Sequence, residues 1–311
     1  MSDKNLITLC IPTFNREETV SLLIQDLIKK EVNDSVNILI IDDGSDDDTF
    51  NKLSEYKNKS NLKIIQNPKN RGFAQTFIRC LEECETEYLV LCTDDEIIVS
   101  ESLPELDKTI KLSKADFIST KFISEYGGRE HKKRSKLKLK DIWKAGKHIP
   151  GLVFKRSSAL SACGKLIDQL DRENAIAFFF PQIYLLLIMQ VSGMLLIKAP
   201  IIISAKNPGG SKASQILSPS GETYASLSTV IDRFTAFNEL YLSLLEDQDF
   251  YEFHNEIKLL KIKHERSFLK MIESAIYFED PNLLMVFRKS IMHRFFSLKL
   301  IFKAIKKRIN F

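Results

Sequence analysis

Glu87-Tyr88-Leu89-Val90-Leu91-Cys92-Thr93-Asp94-Asp95-Glu96 is the stretch on which the reading of this chain turns. Tyr88 to Cys92 suits a buried strand, and it runs directly into Thr93 and two adjacent carboxylates, Asp94 and Asp95. At a strand end successive side chains point to different sides. One carboxylate can therefore meet a divalent cation while its neighbour hydrogen-bonds a hydroxyl. Hard oxygen ligands suit Mg2+ or Mn2+, which keep open positions for phosphate oxygens. Acidic runs also fill polar turns and cap helices, so the flanking sequence has to decide between the two uses.

Upstream, the same pattern repeats. Leu6 to Ile11 is a short apolar strand closed by Pro12-Thr13-Phe14-Asn15-Arg16, because a proline cannot continue a central ladder. Glu17 to Lys30 places Val20, Leu23, Ile24, Leu27 and Ile28 on one helical face. Val36 to Ile41 is a second strand that also ends in acid, Asp42-Asp43-Gly44-Ser45. Asp46 to Asp48 can cap a helix running to about Tyr56, and Leu62 to Gln66 is a third strand. Asn67 to Gly72 is a polar turn, and Phe73 to Cys84 is a helix feeding the strand that ends at Asp94. Strands alternating with helices imply a parallel sheet with right-handed crossovers, whose ligands bind beyond the carboxyl ends of the strands. Pro12, Asp43 and Asp94 all fall at those ends.

No GxGxxG follows the first strand, which sets aside a dinucleotide-binding domain, and no GxxxxGK[ST] is present, which excludes a P-loop. The combination resembles family-2 glycosyltransferases: a first strand ending Pro-Thr-Phe-Asn, a second ending Asp-Asp-Gly-Ser and a fourth ending in an Asp-Asp form of the DXD metal motif. The resemblance covers roughly residues 5 to 125. It implies an α/β protein of GT-A fold, Rossmann-like, with a mainly parallel sheet and helices on both faces. It also implies a metal-dependent hexosyl- or deoxyhexosyltransferase that uses a nucleotide-diphosphate sugar to build surface polysaccharide.

Carried over by position, the resemblance puts Pro12 and Thr13 at the nucleotide, with Asn15 supporting their loop and Asp43 accepting from the base. Arg71 would meet a phosphate or the acids, Asp94 the ribose or sugar, and Asp95 the metal, Mn2+ or Mg2+. Inverting relatives carry a carboxylate base at the start of an acceptor-side helix. Here that start reads Phe180-Pro181-Gln182, so the base is missing from its place. Asp168, Asp171 and Glu173 are the nearest acids and read as loop residues, Asp171 being the candidate base. The departure leaves the stereochemistry open and keeps a second role in view, a non-catalytic nucleotide-sugar-binding subunit of a membrane assembly.

Composition bounds the remainder. The chain has 311 residues, 44% of them apolar and 28% charged, as expected of a soluble globular protein. The five cysteines form no CxxC and read as reduced, buried thiols of a cytoplasmic protein; the polar first five residues give no signal peptide. Leu103 to Leu112 reads as a helix, and Ala115 to Phe122 and Gly151 to Lys155 as strands. Arg129 to Lys147 is crowded with Lys and Arg but offers one aromatic, Trp143, which speaks against a nucleic-acid groove and for a mobile solvated loop. His131 and His148 read as loop residues of that stretch. Ala175 to Ile203 is the most apolar segment, yet Pro181, Gln182, Gln190, Gly193 and Lys198 interrupt it, so a buried helix followed by strands is expected instead of a membrane span.

Asn207 to Ser220 is a Gly/Ser/Pro loop that divides a catalytic domain, 1–206, from a helical region, 207–311. Helices are expected over Tyr224–Leu245, Tyr251–Phe278 and Leu283–Ile309, with His254 and His264 at the surface. Eight Lys or Arg and no acid lie between Arg288 and Arg308, beside an apolar stripe. Such a basic amphipathic helix suits the anionic inner face of the plasma membrane, or else a second copy of the chain.

Overall fold

In register across the sheet, Thr8 to Thr13 lies beside Asn37 to Asp42, and Ile7 to Cys10 beside Tyr88 to Leu91, all parallel. This is the middle of the computed structural model, which describes residues 5–32, 36–123, 128–206, 226–246 and 248–279. The chain divides into two compact units, Met1–Lys212 and Ala213–Phe311. The boundary expected at 206/207 abuts residues outside the described ones, as does the whole expected helix 283–309.

The first unit follows β1 (Ile7–Thr13), α1 (Glu17–Lys29), β2 (Asn37–Asp42), α2 (Thr49–Ser54), β3 (Leu62–Gln66), α3 (Phe73–Glu83), β4 (Tyr88–Leu91), β5 (Glu96–Ile98), α4 (Leu103–Ser113), β6 (Phe117–Ile123) and β7 (Ser135–Lys136). It continues with α5 (Ile142–Gly146), β8 (Leu152–Lys155), α6 (Arg156–Asp171), α7 (Ala175–Phe179), α8 (Pro181–Val191) and β9 (Leu196–Lys206). The second unit holds α9 (Leu227–Glu246) and α10 (His254–Glu279). One sheet has the order β3-β2-β1-β4-β8-β6-β9-β5, with β7 also on β9. β8 is antiparallel to β4 and β6, and β5 and β7 are antiparallel to β9; the other pairs are parallel.

Alternate residues of each strand feed two cores, because strand side chains alternate between faces. On one face Leu9, Ile11, Ile40, Val90 and Val153 pack with Val20, Leu23 and Leu27 of α1 and Leu106 and Ile110 of α4. On the other, Phe154 stands 5.6 Å from Phe77 of α3 and 5.0 Å from Phe117. The result is the mainly parallel α/β sheet with helices on both faces.

β1 runs two residues beyond its expected end. Pro12 lies in register with Ile41 of β2, yet pairing to β4 has already stopped, the Cys92 N–H donating to the Cys10 carbonyl. Odd-numbered residues of β1 bond β2, as when Asp43 N–H donates to the Thr13 carbonyl, so even-numbered Pro12 turns its missing donor to the vacated β4 side.

The basic stretch is not a solvated loop. Arg129 and His131 are buried, Leu137, Leu139 and Ile142 face inward, and β7 pairs with β9. Asp168 and Asp171 belong to α6, a helix whose serines and Gly164 blur its apolar period, and only Glu173 follows it as a turn residue at φ +56°. In the second unit His264 is buried, not superficial. It bonds the Tyr241 hydroxyl and packs edge-on to Phe237, ring centres 4.9 Å apart, and burial lowers its pKa to about 3. His254 is half-buried against Tyr251.

Candidate active site

The strand order turns at β1, with β2 on one side and β4 on the other. In an open α/β sheet a crevice forms at such a point. Two carboxyl ends meet there through one bond: the Thr13 hydroxyl donates to Asp94 Oδ2 at 2.7 Å, with both side chains buried. Asp94 is thereby aimed back across the crevice. Asp95 is half-buried and accepts the Thr93 hydroxyl at 2.8 Å.

The neighbouring loops are built by carboxylates that accept from backbone amides. Asp42, fully buried, takes the Ser45 amide at 3.2 Å, the Ser45 hydroxyl and the Gln66 amide at 2.9 Å. Asp43, also buried, accepts from Asn67 Nδ2 at 2.5 Å, Arg71 N at 3.0 Å and Gly72 N at 2.8 Å. Asp43 thus holds the turn that opens α3, while its Oδ2, with one protein donor, keeps acceptor capacity for a ligand. Gly44 is required where these loops cross: at φ +72° an added Cβ would sit 2.5 Å from the Lys69 carbonyl carbon. Asn15, at φ +51°, joins the β1 loop to the β2 loop, donating its amide N–H to Ser45 Oγ at 2.8 Å and accepting from Asp46 N at 2.9 Å.

Pro12, Thr13, Asn15, Asp43, Arg71, Asp94 and Asp95 therefore gather on the three crossing loops of one rim. Asp171 stands apart: it closes α6 with its side chain exposed, and no contact among the described residues joins it to Asp94 or Asp95. At the acceptor-side helix start, Gln182 is buried and donates to the Gly146 carbonyl at 3.2 Å. It is a packing residue, and Phe180 before it packs edge-on to Trp143 at 4.9 Å.

Glu96 and Arg129 were missed from sequence. Glu96, next to Asp95, is buried and accepts the Ser204 hydroxyl. Burial pushes its pKa up to about 8, opposed by bonds from Ser204 and Thr93 and by the Arg129 charge. Arg129, also fully buried, donates to the carbonyls of Thr120, of His148 at 2.6 Å and of Pro150 at 2.6 Å; burial lowers its pKa to about 9, and Glu96 opposes that. It fixes the chain that enters β8, where Gly151 N–H donates to the Leu91 carbonyl at the end of β4. The sequence held one available signal, the Glu following the two aspartates. Arg129 itself was hidden in a charge run.

Two successive carboxylates do not make a metal cage, and no cluster of three His, Cys, Asp or Glu suited to a metal occurs among the described residues. Mg2+ or Mn2+ fits such a place all the same, because these ions bind through one or two carboxylates and take their remaining ligands from phosphates and water.

The sequence profile described as "Glycosyl transferase family 2" matches residues 8–168, more than half of the chain. The chain belongs to this family. Among curated relatives of this family 2 chain, the cholesterol galactosyltransferase of Borreliella burgdorferi is 27% identical over 178 residues, 56% of this chain and 49% of its own. The abequosyltransferase RfbV of Salmonella typhimurium is 31% identical over 114 residues, 36% of this chain and 34% of its own. The chain thus spans half or less of the length of the curated relatives it matches. Among solved structures, S. aureus TarS 1-349 in complex with UDP-GlcNAc matches 91% of this chain and 87% of its own, at TM-score 0.52 and 16% identity. The mannosyltransferase PcManGT from Pyrobaculum calidifontis, in complex with GDP-Man and Mn2+, matches 99% of this chain and 81% of its own, at TM-score 0.50 and 12% identity. These likenesses show the fold of family 2, GT-A.

Proposed function

We propose that the chain is a metal-dependent glycosyltransferase that moves a hexosyl or deoxyhexosyl group from a nucleotide-diphosphate sugar to a saccharide or lipid-linked saccharide in surface polysaccharide synthesis. The observation that carries this reading is the Thr13–Asp94 bond, which ties the first motif to the third across the crevice while Asp43 builds the loop between them. Pro12, Thr13, Asn15 and Asp43 would seat the nucleoside, Arg71 a phosphate, and Asp94 the ribose or sugar. Asp95 would hold Mn2+ or Mg2+, which supplies positive charge against the departing diphosphate. Named relatives that transfer galactose, abequose and N-acetylglucosamine support the class of reaction.

Asp171 is proposed as the base that takes the acceptor proton, on topological grounds. Arg156 opens α6 by bonding the carbonyls of Leu81 and Glu82 at the far end of α3. Sixteen helical residues then lead back toward the rim, where Phe178 lies beside Gly72. Residues 1–206 would form the catalytic domain of an enzyme working at the cytoplasmic face of the membrane. The segment 283–309 would rest on anionic lipid, or pair with a second copy; no helix among the described residues is long and apolar enough to cross a bilayer. The deciding experiment incubates the full chain with Mn2+ and UDP, GDP, CDP or dTDP sugars. Slow release of free nucleotide diphosphate from one of them is expected. Tight nucleotide-sugar binding without any turnover, with or without saccharide acceptors, would convert the reading into that of a binding subunit.

A further inference from the structure

Between Lys132 and Lys147 eight Lys or Arg side chains are exposed, and none of them forms an ion pair among the described residues. Several cations elsewhere on the protein are matched: Lys30 with Asp26, Lys63 with Glu83 and Glu85, Lys111 with Asp107, Lys155 with Glu87 and Lys261 with Glu265. The acids of the basic segment offer no relief, since Glu130 is taken by Lys121 at 3.4 Å and Asp141 by Lys198 at 3.8 Å, both cations from outside it.

This positive surface is held on a fixed support. From Arg134 to Lys138 the chain is extended beside β9, Ser135 paired with Lys198 and Lys136 with Ile197. Leu137 points into the core while Arg134, Lys136 and Lys138 point out. Alternate residues of an extended chain repeat every 6.6 Å or about that, so the three cations form an evenly spaced row. Such a row is complementary to anions, and an even row matches a repeating anion better than a single one.

The row also meets β9 at its start, whereas the chain leaving the Asp94–Asp95 corner meets it at its end. Ser135 is level with Lys198, Ser119, Leu152 and Leu91 across the sheet, the height at which β4 gives way to the Asp94–Asp95 corner. Four strand spacings, about 19 Å, separate it from β4. The corner itself continues into Glu96, opposite Lys206, eight residues or roughly 26 Å of strand beyond Lys198, a length that an extended polymer entering from the β9 edge can follow.

We infer that the 132–147 surface binds a phosphate-bearing saccharide polymer, which is the acceptor, by its repeated phosphodiesters. The inference rests on the glycosyltransferase reading and names the acceptor class for it. Arg134 would fork onto one phosphate and the lysines would act as point charges on its neighbours.

The test uses the full chain, a poly(glycerol phosphate) oligomer as probe, neutral dextran as control, phosphatidylglycerol vesicles as a second anionic surface, and nucleotide-sugar binding measured alongside. The triple variant Arg134→Gln, Lys136→Gln, Lys138→Gln alters exposed side chains only. Its affinity for the oligomer is expected to fall at least tenfold, and the slope of log affinity against log salt to shrink by about 2 to 3 for the three lost contacts. Neutralising Lys299, Lys303 and Lys306 instead should leave oligomer affinity within twofold. The proposal is overturned if wild type binds the oligomer no better than dextran, if the terminal variant carries the loss, or if the triple variant loses vesicles but not oligomer. Failure of nucleotide-sugar binding in wild type would strike the proposed function separately, since oligomer binding is read without donor.

Discussion

The two halves of the rim are built differently. On the β2-β1-β4 side, polar groups are fixed by bonds between side chain and loop backbone a few residues or one strand away: Asp42 to Ser45, Asp43 to Arg71 and Gly72, Asn15 to Ser45 and Asp46. On the β8-β6-β9 side a buried guanidinium, Arg129, holds three carbonyls from two separate segments, and the helix that should carry a base presents a buried amide at Gln182. The first construction prescribes residue types at fixed spacing. The second prescribes only that something polar and buried be satisfied, and many sequences do that.

The sharpest way to break the comparison is Arg129→Ala. Removing a fully buried cation leaves three carbonyls without their donor and Glu96 without its nearby charge, so stability should fall by about 3–5 kcal/mol in urea unfolding. Nucleotide affinity at low temperature should survive in the folded fraction. If it falls with stability, the halves are not separate. Asp95→Asn probes the other half: an amide is a far poorer ligand for a hard cation, and activity should drop about 10²- to 10³-fold while unfolding is nearly unchanged. Metal dependence of nucleotide binding equal to that of wild type would remove Asp95 from the metal. Asp43→Ala should cost about 1.5–3 kcal/mol by stranding the Arg71 and Gly72 amides. It should also weaken nucleotide binding with and without metal, as titration calorimetry would show.

A further effect is on pH dependence. His131, 2.9 Å from the Ser119 hydroxyl, is held neutral to about pH 4 by burial and by the nearby Arg129 and Lys198 charges; His264 is held neutral to about 3 by burial and Lys263. In the unfolded chain both titrate near pH 6.5. Between there and about pH 4 the unfolded state binds more protons, so stability is complete above pH 6.5 and declines as pH falls through this window. His264→Gln should flatten that decline in denaturant midpoints measured from pH 7 to 4.5. An unaltered slope would mean that His264 takes up its proton in the folded state.

From β1 to β4 the sequence was legible to within a residue or two at most boundaries, because each strand is a continuous apolar run stopped by an acid or a proline and each helix carries one apolar stripe. Three failures share a cause. β5 and β7 are three and two residues long and exist only because β9 offers them an edge. α6 lacks a clear stripe and packs on α3, α7 and α8, elements distant in sequence or following it. Arg129 and His264 look like surface residues until a long-range fold encloses them. Of the candidate site, the loops that follow β1, β2 and β4 were readable from motifs. Asp43's structural duty toward Arg71 and Gly72 was not, because it depends on a turn 28 residues away coming to rest beside it.

The pairing of β5 has a consequence for how the protein is made. Among the described residues its only strand partner is β9, with Glu96 opposite Lys206, so the strand leaving the Asp94–Asp95 corner waits for a segment more than a hundred residues later to be synthesised. The parallel strands β1 to β4 pair with one another, with β8 added later on the far side of β4, and can begin to assemble while the ribosome is still translating the rest. The loops after β1 and β2 can therefore form early on the nascent chain, while the strand leaving Asp94 and Asp95 gains its partner only when β9 arrives.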